Sequence, residues 1–556
     1  MNQKSARLSE VEHFRQQTVS FDKIPKQNRL FTDFQVDLSE VSEFFPEKNT
    51  PPEKFAEQVL ENYQIDRPKL CDILKEINES FEAGQKTFEN IEKLRETDCL
   101  AIVTGQQAGL FSGALYTIYK ALSAVKIAEN LQKHNIKTVP VFWIAEEDHD
   151  FDEISKTFNL DKAGKLVKSE NTPRDYKENV PVGLVKLDET ITDTIENLFS
   201  NLPHTEYTDE VKHLILKTYQ PGETYSTAFA KLIARLFADF GLIIITPLDK
   251  HLKELCAPVF AAAIENSKEI STALIHRNDQ LSGKNYQPQV LVEKDYFPFF
   301  LQSENGERQS LRRDAEKGKI KIQKSKKTFE INELLEIARS SPERLSPNAL
   351  MRPVVQDYLL PTLAYFGGGA EIAYFAQNAV IYKILNRPVT PIRHRASFTV
   401  IERKHARTLE KYKLDFLDLF AGKEKITSHL VENFLNRGAS RAFAETEEII
   451  NAQLARLDRE LSIDEPTLAA NLATRKRKIL WHISALRKKY QQAEFEKNRI
   501  TSRRVNTLYT ALLPDNGLQE RTLCVVTYLN LCGWNFLNWI YEAIDPNEVN
   551  HQILYL

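Results

Sequence analysis

The sequence over residues 99–145 decides the fold. It opens with an apolar run, Cys99-Leu-Ala-Ile-Val-Thr104, followed by a glycine-rich turn, Gly105-Gln-Gln-Ala-Gly-Leu-Phe-Ser-Gly113. Apolar residues then recur at helical spacing over residues 115–132, and a second apolar run follows, Val139-Pro-Val-Phe-Trp-Ile-Ala145. Because parallel strands need a crossover helix, this order of strand, turn, helix and strand predicts a βαβ unit.

The same alternation continues on both sides of this unit. Amphipathic helices are predicted before it, over residues 53–97, and a helix after it, over residues 228–240. A short β-branched run at residues 241–246 predicts another strand, and a further helix is predicted at residues 258–274. The sequence therefore predicts an α/β fold with a Rossmann-like core built on a parallel sheet.

Two further segments differ from this core. Between residues 287 and 330, short apolar runs are separated by polar turns such as Glu304-Asn-Gly-Glu307, which predicts an inserted antiparallel hairpin module. After about residue 395 the sequence becomes charged and poor in glycine, which predicts a helical arm. The predicted division is an N-terminal helical lead-in (1–98), the Rossmann-like core (99–286), the hairpin module (287–330), a core continuation (331–395), the coiled-coil arm (396–513) and a C-terminal segment packing on the core (514–556).

The arm has two apolar seams with coiled-coil spacing, on either side of a break at Asp464-Glu-Pro466. They predict a helical hairpin that can pair with a second copy as a homodimer. Two basic runs, at residues 475–478 and 487–489, are either a solvated face or a phosphate contact. The seam residues are Ile450, Leu454, Leu457 and Leu461, then Ile479, Ile483, Leu486, Tyr490 and Ala493.

Composition excludes several classes of protein. The 556 residues carry 74 Lys and Arg against 77 Asp and Glu, a net charge of −3, which does not suit a general nucleic-acid binder. The five cysteines are scattered and never spaced as CxxC, which argues against a disulfide framework or a zinc knuckle. The first ten residues lack a secretory signal, and residues 523–544 predict a buried helix and no membrane span, so we expect a cytoplasmic protein.

The first candidate site is the turn between the predicted strand and helix. Glycines at 105, 109 and 113 allow close approach of a ligand, and the following helix N-terminus favours an anion such as phosphate or carboxylate. The turn has neither the Walker A lysine nor the GxGxxG spacing, and a tight turn packed for structural reasons is the alternative. The candidate binding residues here are Thr104, Gly105, Gln106, Gln107, Gly109, Gly113 and Tyr116.

The second candidate is Glu146-Glu-Asp-His-Asp150, at the carboxyl end of the second predicted strand. Ligands of open α/β sheets bind outside these strand ends. Four carboxylates around His149 repel one another, so a cation or ammonium group would relieve the stretch. It can coordinate Mg²⁺, hold an amine or transfer protons, and a solvent-exposed acidic loop is the alternative. We predict Glu147, Asp148, His149 and Asp150 as catalytic residues.

The third candidate combines Ser346-Pro-Asn to Asp357 with Tyr365-Phe-Gly-Gly-Gly-Ala-Glu-Ile-Ala-Tyr374. Guanidinium and amide groups suit carboxylate or phosphate recognition, and three glycines again allow close approach of backbone, although each feature can also be structural. A Lys-rich run at residues 321–326 is a weaker phosphate candidate. The candidate binding residues are Asn348, Arg352, Gln356, Asp357, Gly368, Glu371 and Gln377.

Together these motifs resemble the bacillithiol biosynthesis family BshC, the cysteine ligases. The resemblance rests on residues 104–120, Phe142-Trp-Ile-Ala-Glu-Glu-Asp-His-Asp-Phe-Asp-Glu153, residues 346–358 and residues 365–377, and it extends to Leu518-Gln-Glu-Arg521. It implies a Rossmann-like core similar to class I aminoacyl-tRNA synthetases, with connecting-peptide insertions and a dimerising coiled coil. It also implies addition of L-cysteine to the amino group of glucosaminyl-malate as the last step of bacillithiol synthesis.

The chain departs from the class I synthetases in two ways. Their HxGH motif is missing, because the corresponding turn reads Gly109-Leu-Phe-Ser-Gly113 without a histidine, so their adenylation mechanism is not carried over. No cysteine cluster is available to hold zinc for recognition of a thiol. Cysteine is then recognised by other groups, or by a metal held by His and carboxylates.

On this resemblance we expect an amide-forming ligase that uses ATP with Mg²⁺. The turn would cradle phosphate or carboxylate, His149 between Asp148 and Asp150 would deprotonate or position the amine, and Asn348, Arg352 and Gln356 would hold malate carboxylates or a nucleotide phosphate. We expect no membrane or nucleic-acid partner. The alternatives are a non-catalytic nucleotide-binding scaffold of the pathway and an RNA-binding relative of the tRNA synthetases.

Overall fold

The computed structural model describes residues 16–314, 318–323 and 325–556. Two predictions concern residues outside this part of the chain. One is the expected absence of a secretory signal in the first ten residues. The other is the Lys-rich phosphate candidate at residues 321–326, of which Lys324 lies outside the described residues.

The strands and helices are numbered along the chain. The strands are β1 (Gln16–Val19), β2 (Leu100–Gln106), β3 (Thr138–Ile144), β4 (Lys156–Leu160), β5 (Leu166–Glu170), β6 (Ile243–Ile245), β7 (Phe299–Gln302), β8 (Arg308–Arg313), β9 (Ile320–Ile322), β10 (Thr328–Phe329), β11 (Leu345–Pro347), β12 (Thr362–Gly367), β13 (Ile392–His394), β14 (Phe398–Ile401) and β15 (His551–Tyr555). The helices are α1 (Arg29–Val36), α2 (Pro52–Asn62), α3 (Arg67–Ser80), α4 (Gln85–Leu94), α5 (Tyr116–Lys133), α6 (Phe151–Ile154), α7 (Thr190–Asn201), α8 (Thr208–Thr218), α9 (Tyr225–Leu236), α10 (Lys250–Glu265), α11 (Ser267–Gly283), α12 (Ile331–Ser340), α13 (Arg352–Leu359), α14 (Gly369–Ile384), α15 (Arg403–Tyr412), α16 (Lys423–Leu430), α17 (Arg437–Asp464), α18 (Pro466–Lys497), α19 (Arg499–Leu512), α20 (Val525–Cys532) and α21 (Asn535–Ala543).

A five-stranded parallel sheet forms the core, in the order β13-β12-β2-β3-β6. Every residue of β3 is buried, as is every residue of β2 except Gln106, which explains why both strands read as continuous apolar runs. The first strand of the sheet, β2, lies in the middle, and the order reverses between β2 and β12. This is the doubly wound arrangement, so the predicted α/β class and Rossmann-like core are confirmed.

The insertion predicted at residues 287–330 forms an antiparallel sheet, in the order β10-β9-β8-β7-β11. Its last strand, β11, lies beyond residue 330, because Leu345 to Pro347 pair with β7. The edge of the module is therefore closed by the chain that leads into α13. This pairing fixes the module against the core.

The two ends of the described chain meet in a third sheet. Strand β15 pairs antiparallel with β1 and parallel with β14, so the C-terminal segment packs against the N-terminal one. The single helix predicted over residues 523–544 is wrong, since α20 and α21 are separated by Gly533. Gly533 has φ +61°, and a Cβ there would lie 2.7 Å from the Tyr207 ring, so glycine is required at this break.

Two other local predictions need correction. The helix predicted at 258–274 is two helices, because α10 ends at Glu265 and α11 begins at Ser267, with the Asn266 side chain donating to the Ala262 carbonyl at 2.9 Å. In the arm, α17 and α18 form the predicted hairpin around the break at Asp464–Pro466. However, Leu457, Ile479 and Leu486 of the predicted seams are exposed (45%, 39% and 60%). The predicted seam residue Ile483 is half-buried, as are Leu472 and Leu480, which lie outside the predicted seam.

No helix in the described ranges is long and apolar enough to cross a membrane.

Candidate active site

A cavity of about 680 Å³ lies at the carboxyl ends of β2 and β12, where the strand order reverses. Doubly wound sheets bind their ligands at this switch point. Three parts of the chain line the cavity: the core sheet with its loops, the inserted sheet through residues such as Phe300 and Arg308, and the C-terminal segment through Arg521. The candidate site therefore requires segments that are more than 400 residues apart in the sequence.

The first half of the glycine turn lines the cavity. Gln107 donates to Asp148 Oδ2 at 2.7 Å, and Gln106 donates to the Tyr116 hydroxyl at 3.3 Å. A Cβ on Gly105 would lie 2.6 Å from the Trp143 carbonyl oxygen, so this glycine is required by the neighbouring strand β3. Burial raises the pKa of Tyr116 to about 12, so its hydroxyl stays protonated.

The second half of the turn lies away from the cavity. The Tyr219 hydroxyl donates to the Gly109 carbonyl at 3.4 Å, and a Cβ on Gly109 would lie 2.8 Å from Cα of Gly113. The backbone NH of Leu115 donates to the Leu523 carbonyl at 2.8 Å, so the C-terminal segment covers the start of α5. The expectation that Gly109, Gly113 and this helix N-terminus cradle an anion is therefore corrected.

Thr104 is also structural. It is fully buried, and its hydroxyl donates to the Phe366 carbonyl at 2.7 Å, which ties β2 to β12 beneath the cavity.

Lys120 on α5 was not predicted as a site residue, although it ends the first motif. Its Nζ donates to the Gly105 carbonyl and to Gln106 Oε1, both at 2.9 Å, and forms an ion pair with Glu371. An ammonium group has three donors, and these three acceptors use them all. Lys120 therefore stabilises the backbone and side chains at the switch point. Its ammonium group has no donor left for a ligand.

The acidic stretch after β3 divides between two environments. Glu146 is buried away from the cavity, where it accepts from Ser226 and from the backbone NH of Leu248. Burial raises the pKa of Glu146 to about 7. Glu147 lines the cavity but forms a buried ion pair with Lys253, which also donates to the Leu345 carbonyl.

Asp148 and His149 line the cavity, whereas Asp150 is exposed outside its lining and caps α6 by accepting from the backbone NH of Glu153 at 3.3 Å. Burial, followed by the charge of Arg308, lowers the pKa of His149 against the opposing effect of Asp148 and Asp150. Glu153 was not predicted, and it lines the cavity rim. Partial desolvation there, with Asp150 and Asp148 nearby, raises the pKa of Glu153.

In the third motif, Arg352 is the charged residue predicted for binding whose side chain remains available at the cavity. It donates to Gln356 Oε1 at 2.9 Å and to the Tyr374 hydroxyl at 2.7 Å. Gln356 in turn donates to Asp357 at 2.9 Å, and both are buried outside the cavity lining. Gln356 and Asp357 are therefore supports for Arg352 and lie too deep to contact a ligand.

The other predicted residues of this motif have defined positions. Asn348 lines the cavity, but its side chain is bonded to the Tyr296 hydroxyl at 3.0 Å and the Phe297 carbonyl at 3.1 Å. Gln377 is buried and holds both backbone groups of Val290, at 2.9 and 2.8 Å. Val290 lines the cavity, so Gln377 contributes to the shape of the cavity only.

Helix α14 begins at the cavity edge, where Gly368, Gly369 and Ala370 line the wall. Glu371 accepts from the backbone NH of Gly368 at 2.7 Å and from the Tyr365 hydroxyl at 2.6 Å. A helix N-terminus that faces a cavity attracts negative charge.

Four arginines that were not predicted as site residues also line the cavity: Arg308, Arg312, Arg395 and Arg521. Arg395 pairs with Glu520 through two hydrogen bonds, at 2.9 and 2.6 Å. The guanidinium of Arg521 is exposed and makes no hydrogen bond or ion pair with any residue that the structure describes. No spacing pattern marks these residues, and the only sequence signal for Arg521 is its place in Leu518-Gln-Glu-Arg521.

Within residues 16–314, 318–323 and 325–556, no group of three or more His, Cys, Asp or Glu side chains is arranged to hold a metal ion.

The basic runs of the arm, at residues 475–478 and 487–489, do not line the cavity. Arg487 of α18 pairs with Glu447 of α17 and with Glu432, which lies just before α17.

Comparison with known proteins identifies the family of this doubly wound fold. The family model described as Bacillithiol biosynthesis BshC, N-terminal Rossmann-like domain, matches residues 16–396, and the one described as Bacillithiol biosynthesis BshC, C-terminal coiled-coil domain, matches residues 398–556. The chain therefore belongs to the BshC family of bacillithiol biosynthesis, which confirms the resemblance found in its sequence.

Curated relatives agree over nearly the full length. A protein of Solibacter usitatus is 32% identical over 533 residues, which cover 96% of this chain and 98% of the relative. Proteins of Salinibacter ruber and Koribacter versatilis are 31% and 32% identical, each over 94% of this chain and 96% of the relative. All three are named "Putative cysteine ligase BshC".

Proposed function

We propose that this chain is a ligase that joins L-cysteine to the amino group of glucosaminyl-malate through an amide bond, with ATP activating the cysteine carboxylate. The observation that carries the proposal is the composition of the switch-point cavity. Cationic groups free of carboxylate partners, Arg352 and Arg521, line it together with an acidic wall formed by Asp148 and Glu153. The names of the relatives support the same activity.

Amide formation from these substrates has two obstacles. The cysteine carboxylate is a poor electrophile, and the glucosamine amine is protonated at neutral pH. Transfer of an adenylyl or phosphoryl group from ATP activates the carboxylate, releasing pyrophosphate or ADP. The amine nitrogen then attacks the acyl carbon, the bond from that carbon to the phosphate oxygen breaks, and the amine loses its proton to a base.

The cationic part of the cavity suits the anionic groups of both substrates. Arg352 and Arg521 would bind malate carboxylates or a phosphate, because charge-assisted bonds to guanidinium are strong and directional. The first turn of α14 would face a phosphate or carboxylate oxygen at Gly369 and Ala370, because the backbone NH of Gly368 already donates to Glu371. In this assignment Asn348 shapes the wall, since its side chain is already bonded to protein groups.

The acidic part suits the amine. Asp148 and Glu153 would hold the ammonium group, and Glu153 is the better base because partial burial raises its pKa above the ordinary value. His149 would lie next to the reacting groups, as its position in the cavity lining indicates. Glu147 acts through Lys253 and Asp150 through the start of α6, so both would support the catalytic groups indirectly.

A resident Mg²⁺ does not fit the donor set, because the described residues offer no cluster of ligands. Magnesium would enter on the nucleotide phosphates, its usual carrier in proteins.

We also propose a homodimer through the coiled-coil arm. Apolar side chains remain exposed on both helices of the hairpin, including Ile449 at 61%, Leu457 at 45% and Leu486 at 60%. A second copy would cover them, and a paired hairpin generates a twofold dimer.

The test is product formation by purified protein from L-cysteine, glucosaminyl-malate and ATP with Mg²⁺, followed by mass spectrometry. We expect the amide product with wild type and with His134→Ala, an exposed histidine at the end of α5, and strong loss with His149→Ala. AMP or ADP among the products identifies the activated species.

The cellular counterpart is a deletion strain complemented with the same variants. Accumulated glucosaminyl-malate that only active variants convert to bacillithiol supports the ligase. Normal bacillithiol in the deletion strain would contradict it and favour a scaffold role.

A further inference from the structure

Arg308, on strand β8 of the inserted sheet, reaches across the cavity and is held rigidly. Its Nε donates to Ser346 Oγ at 2.9 Å, and its Nη2 donates to the Pro347 carbonyl at 3.0 Å. The guanidinium lies 3.8 Å from the ring centroid of Phe300, and the side chain is only 8% exposed. These contacts leave Nη1 directed at the loop after β3.

The Nη1 group donates to His149 Nδ1 at 3.2 Å and lies 3.4 Å from Asp148 Oδ1. A guanidinium has donors and no acceptor, so Nδ1 must present its lone pair. A neutral imidazole carries one proton, and that proton is then on Nε2. Asp148 Oδ1 lies 3.7 Å from Nδ1, too far to compete as a hydrogen-bond partner.

We propose that Arg308 is a positioning residue for His149: it occupies Nδ1, so that the neutral ring presents its Nε2 proton to the substrate as a hydrogen-bond donor. The partner is an anionic oxygen, such as that of the activated carboxyl group or of the tetrahedral intermediate formed on amine attack. The geometry of Arg308 and His149 stands without the proposed function, and only the identity of this oxygen rests on it.

This arrangement removes His149 as the base for the amine, because its only lone pair is bonded to Arg308. A neutral imidazole that donates a hydrogen bond stabilises developing negative charge without transferring its proton. The proton of the amine then goes to a carboxylate, and Glu153 is the lining carboxylate whose pKa is raised.

The charged groups that face His149 come from two elements. Arg308 faces it from β8, and Asp148 and Asp150 face it from its own loop, while β7 contributes the uncharged ring of Phe300. Arg308 opposes protonation, and the two carboxylates favour it. Burial still lowers the pKa of His149 when the arginine charge is lost, but the two carboxylates then act unopposed by Arg308, so the pKa should rise.

The first test measures His149 directly in the full-length protein. Diethyl pyrocarbonate modifies only unprotonated imidazole, so the rate of His149 modification against pH, followed by peptide mass spectrometry, gives its pKa. We expect Arg308→Gln to raise this pKa by about one unit or more. Arg308→Lys, which keeps the charge, should leave it low. The matched control is Arg312→Gln, on the same strand and paired with Asp295, which should not change it.

An unchanged His149 pKa in Arg308→Gln, with the far-ultraviolet circular dichroism of wild type, would overturn the proposal whatever the enzyme catalyses. Arg308→Lys covers the case in which the glutamine variant does not fold. A raised His149 pKa in Arg308→Lys would also overturn the proposal, because the charge of Arg308 would then not be what keeps that pKa low.

The second test separates a hydrogen-bond donor from a base. The amide nitrogen of glutamine can occupy the place of Nε2 and donate, but it cannot accept a proton. We expect His149→Gln to keep at least about tenfold more activity than His149→Ala. Equal loss in both histidine variants would overturn the donor role. Absence of ligase activity in wild type would instead overturn the proposed function and leave the first test valid.

Discussion

Lys120 on α5 and Glu371 on α14 form an ion pair that joins the two strands flanking the switch point, with side chains only 3% and 17% exposed. Burial raises the pKa of the Glu371 carboxyl, but the Lys120 charge and the hydrogen bonds from Tyr365 and Gly368 outweigh it, so the pKa is lowered. Both side chains line the cavity, where the pair connects the ends of β2 and β12. The ion pair therefore stabilises the shape of the candidate site.

Removing one member of this pair should destabilise the core. Lys120→Met leaves the Glu371 carboxylate buried without its cation, which should lower the free energy of unfolding by about 3 to 5 kcal/mol. The double variant Lys120→Met, Glu371→Gln should recover a large part of the loss. Urea unfolding of the three variants checks this, and a loss below about 1 kcal/mol in Lys120→Met would contradict the assigned burial.

Glu146 should make stability depend on pH. Its pKa is raised by burial to about 7 from 4.5, so the native state binds a proton more tightly than the unfolded chain does. Stability is therefore lost as pH rises from about 4.5 to 7, by up to about 3 kcal/mol. Glu146→Gln should be more stable than wild type at pH 8 and similar at pH 4.5 in urea unfolding, whereas the exposed control Glu89→Gln should follow wild type at both values.

Protonation of His149 should not limit the reaction near neutral pH. Burial and Arg308 lower the pKa of His149 below its ordinary 6.5, so the neutral ring predominates above that pH. Any fall in kcat/KM that His149 causes should come at lower pH, because the protonated ring no longer accepts the hydrogen bond from Arg308 and is repelled by its charge. A pH-rate profile with a limb at or above about pH 7 that disappears in His149→Gln would contradict this.

Arg352 and Arg521 should determine affinity for the anionic substrate. Arg521→Met should raise the KM for glucosaminyl-malate about tenfold or more and change kcat less, because a hydrogen bond to a charged group contributes about 1.5 to 3 kcal/mol. Steady-state kinetics with the dimethyl ester of the same substrate should show little difference between variant and wild type. Arg441→Met, exposed on α17, is the matched control.

The arm should hold two copies together through the apolar side chains exposed on its surface. Leu457→Lys combined with Leu486→Lys should give a monomer of 64.0 kDa in light scattering, because two charges would be buried in the interface. The fold of each chain should be retained, since neither side chain is buried in the monomer. A wild-type chain that is monomeric at micromolar concentration would contradict the dimer.

Periodicity was sufficient for the long elements and insufficient for breaks in them. The βαβ unit at β2, α5 and β3 follows from apolar runs and a crossover helix, and both are local properties. The division between α20 and α21 depends on contact of Gly533 with Tyr207, more than 300 residues away, and no local pattern records it. Of the predicted α18 seam, Ile483 and Tyr490 are half-buried while Ile479 and Leu486 are exposed, because several positions of this helix are apolar and contact with α17 selects among them.

The candidate site shows the same limit. The acidic stretch and Arg352 were identified because strand ends and guanidinium groups have known chemical uses, and both lie at the cavity. Gly109, Gly113 and Thr104 are residue types suited to ligand binding. In the structure they contact other protein groups and do not line the cavity. Lys120, Glu153 and Arg308 lie outside the chosen residues, since their importance depends on what they face.

The sequence by itself determined the α/β class, the insertion, the helical arm and the family, because these depend on periodicity and on motifs contiguous in the chain. Only the tertiary structure decided which polar groups are committed to protein partners and which remain available. Hydrogen-bond partners such as Arg308 and His149 are 159 residues apart, and Arg395 and Glu520 are 125 apart. Donors and acceptors are satisfied by proximity in space, and the order of residues along the chain does not specify that proximity.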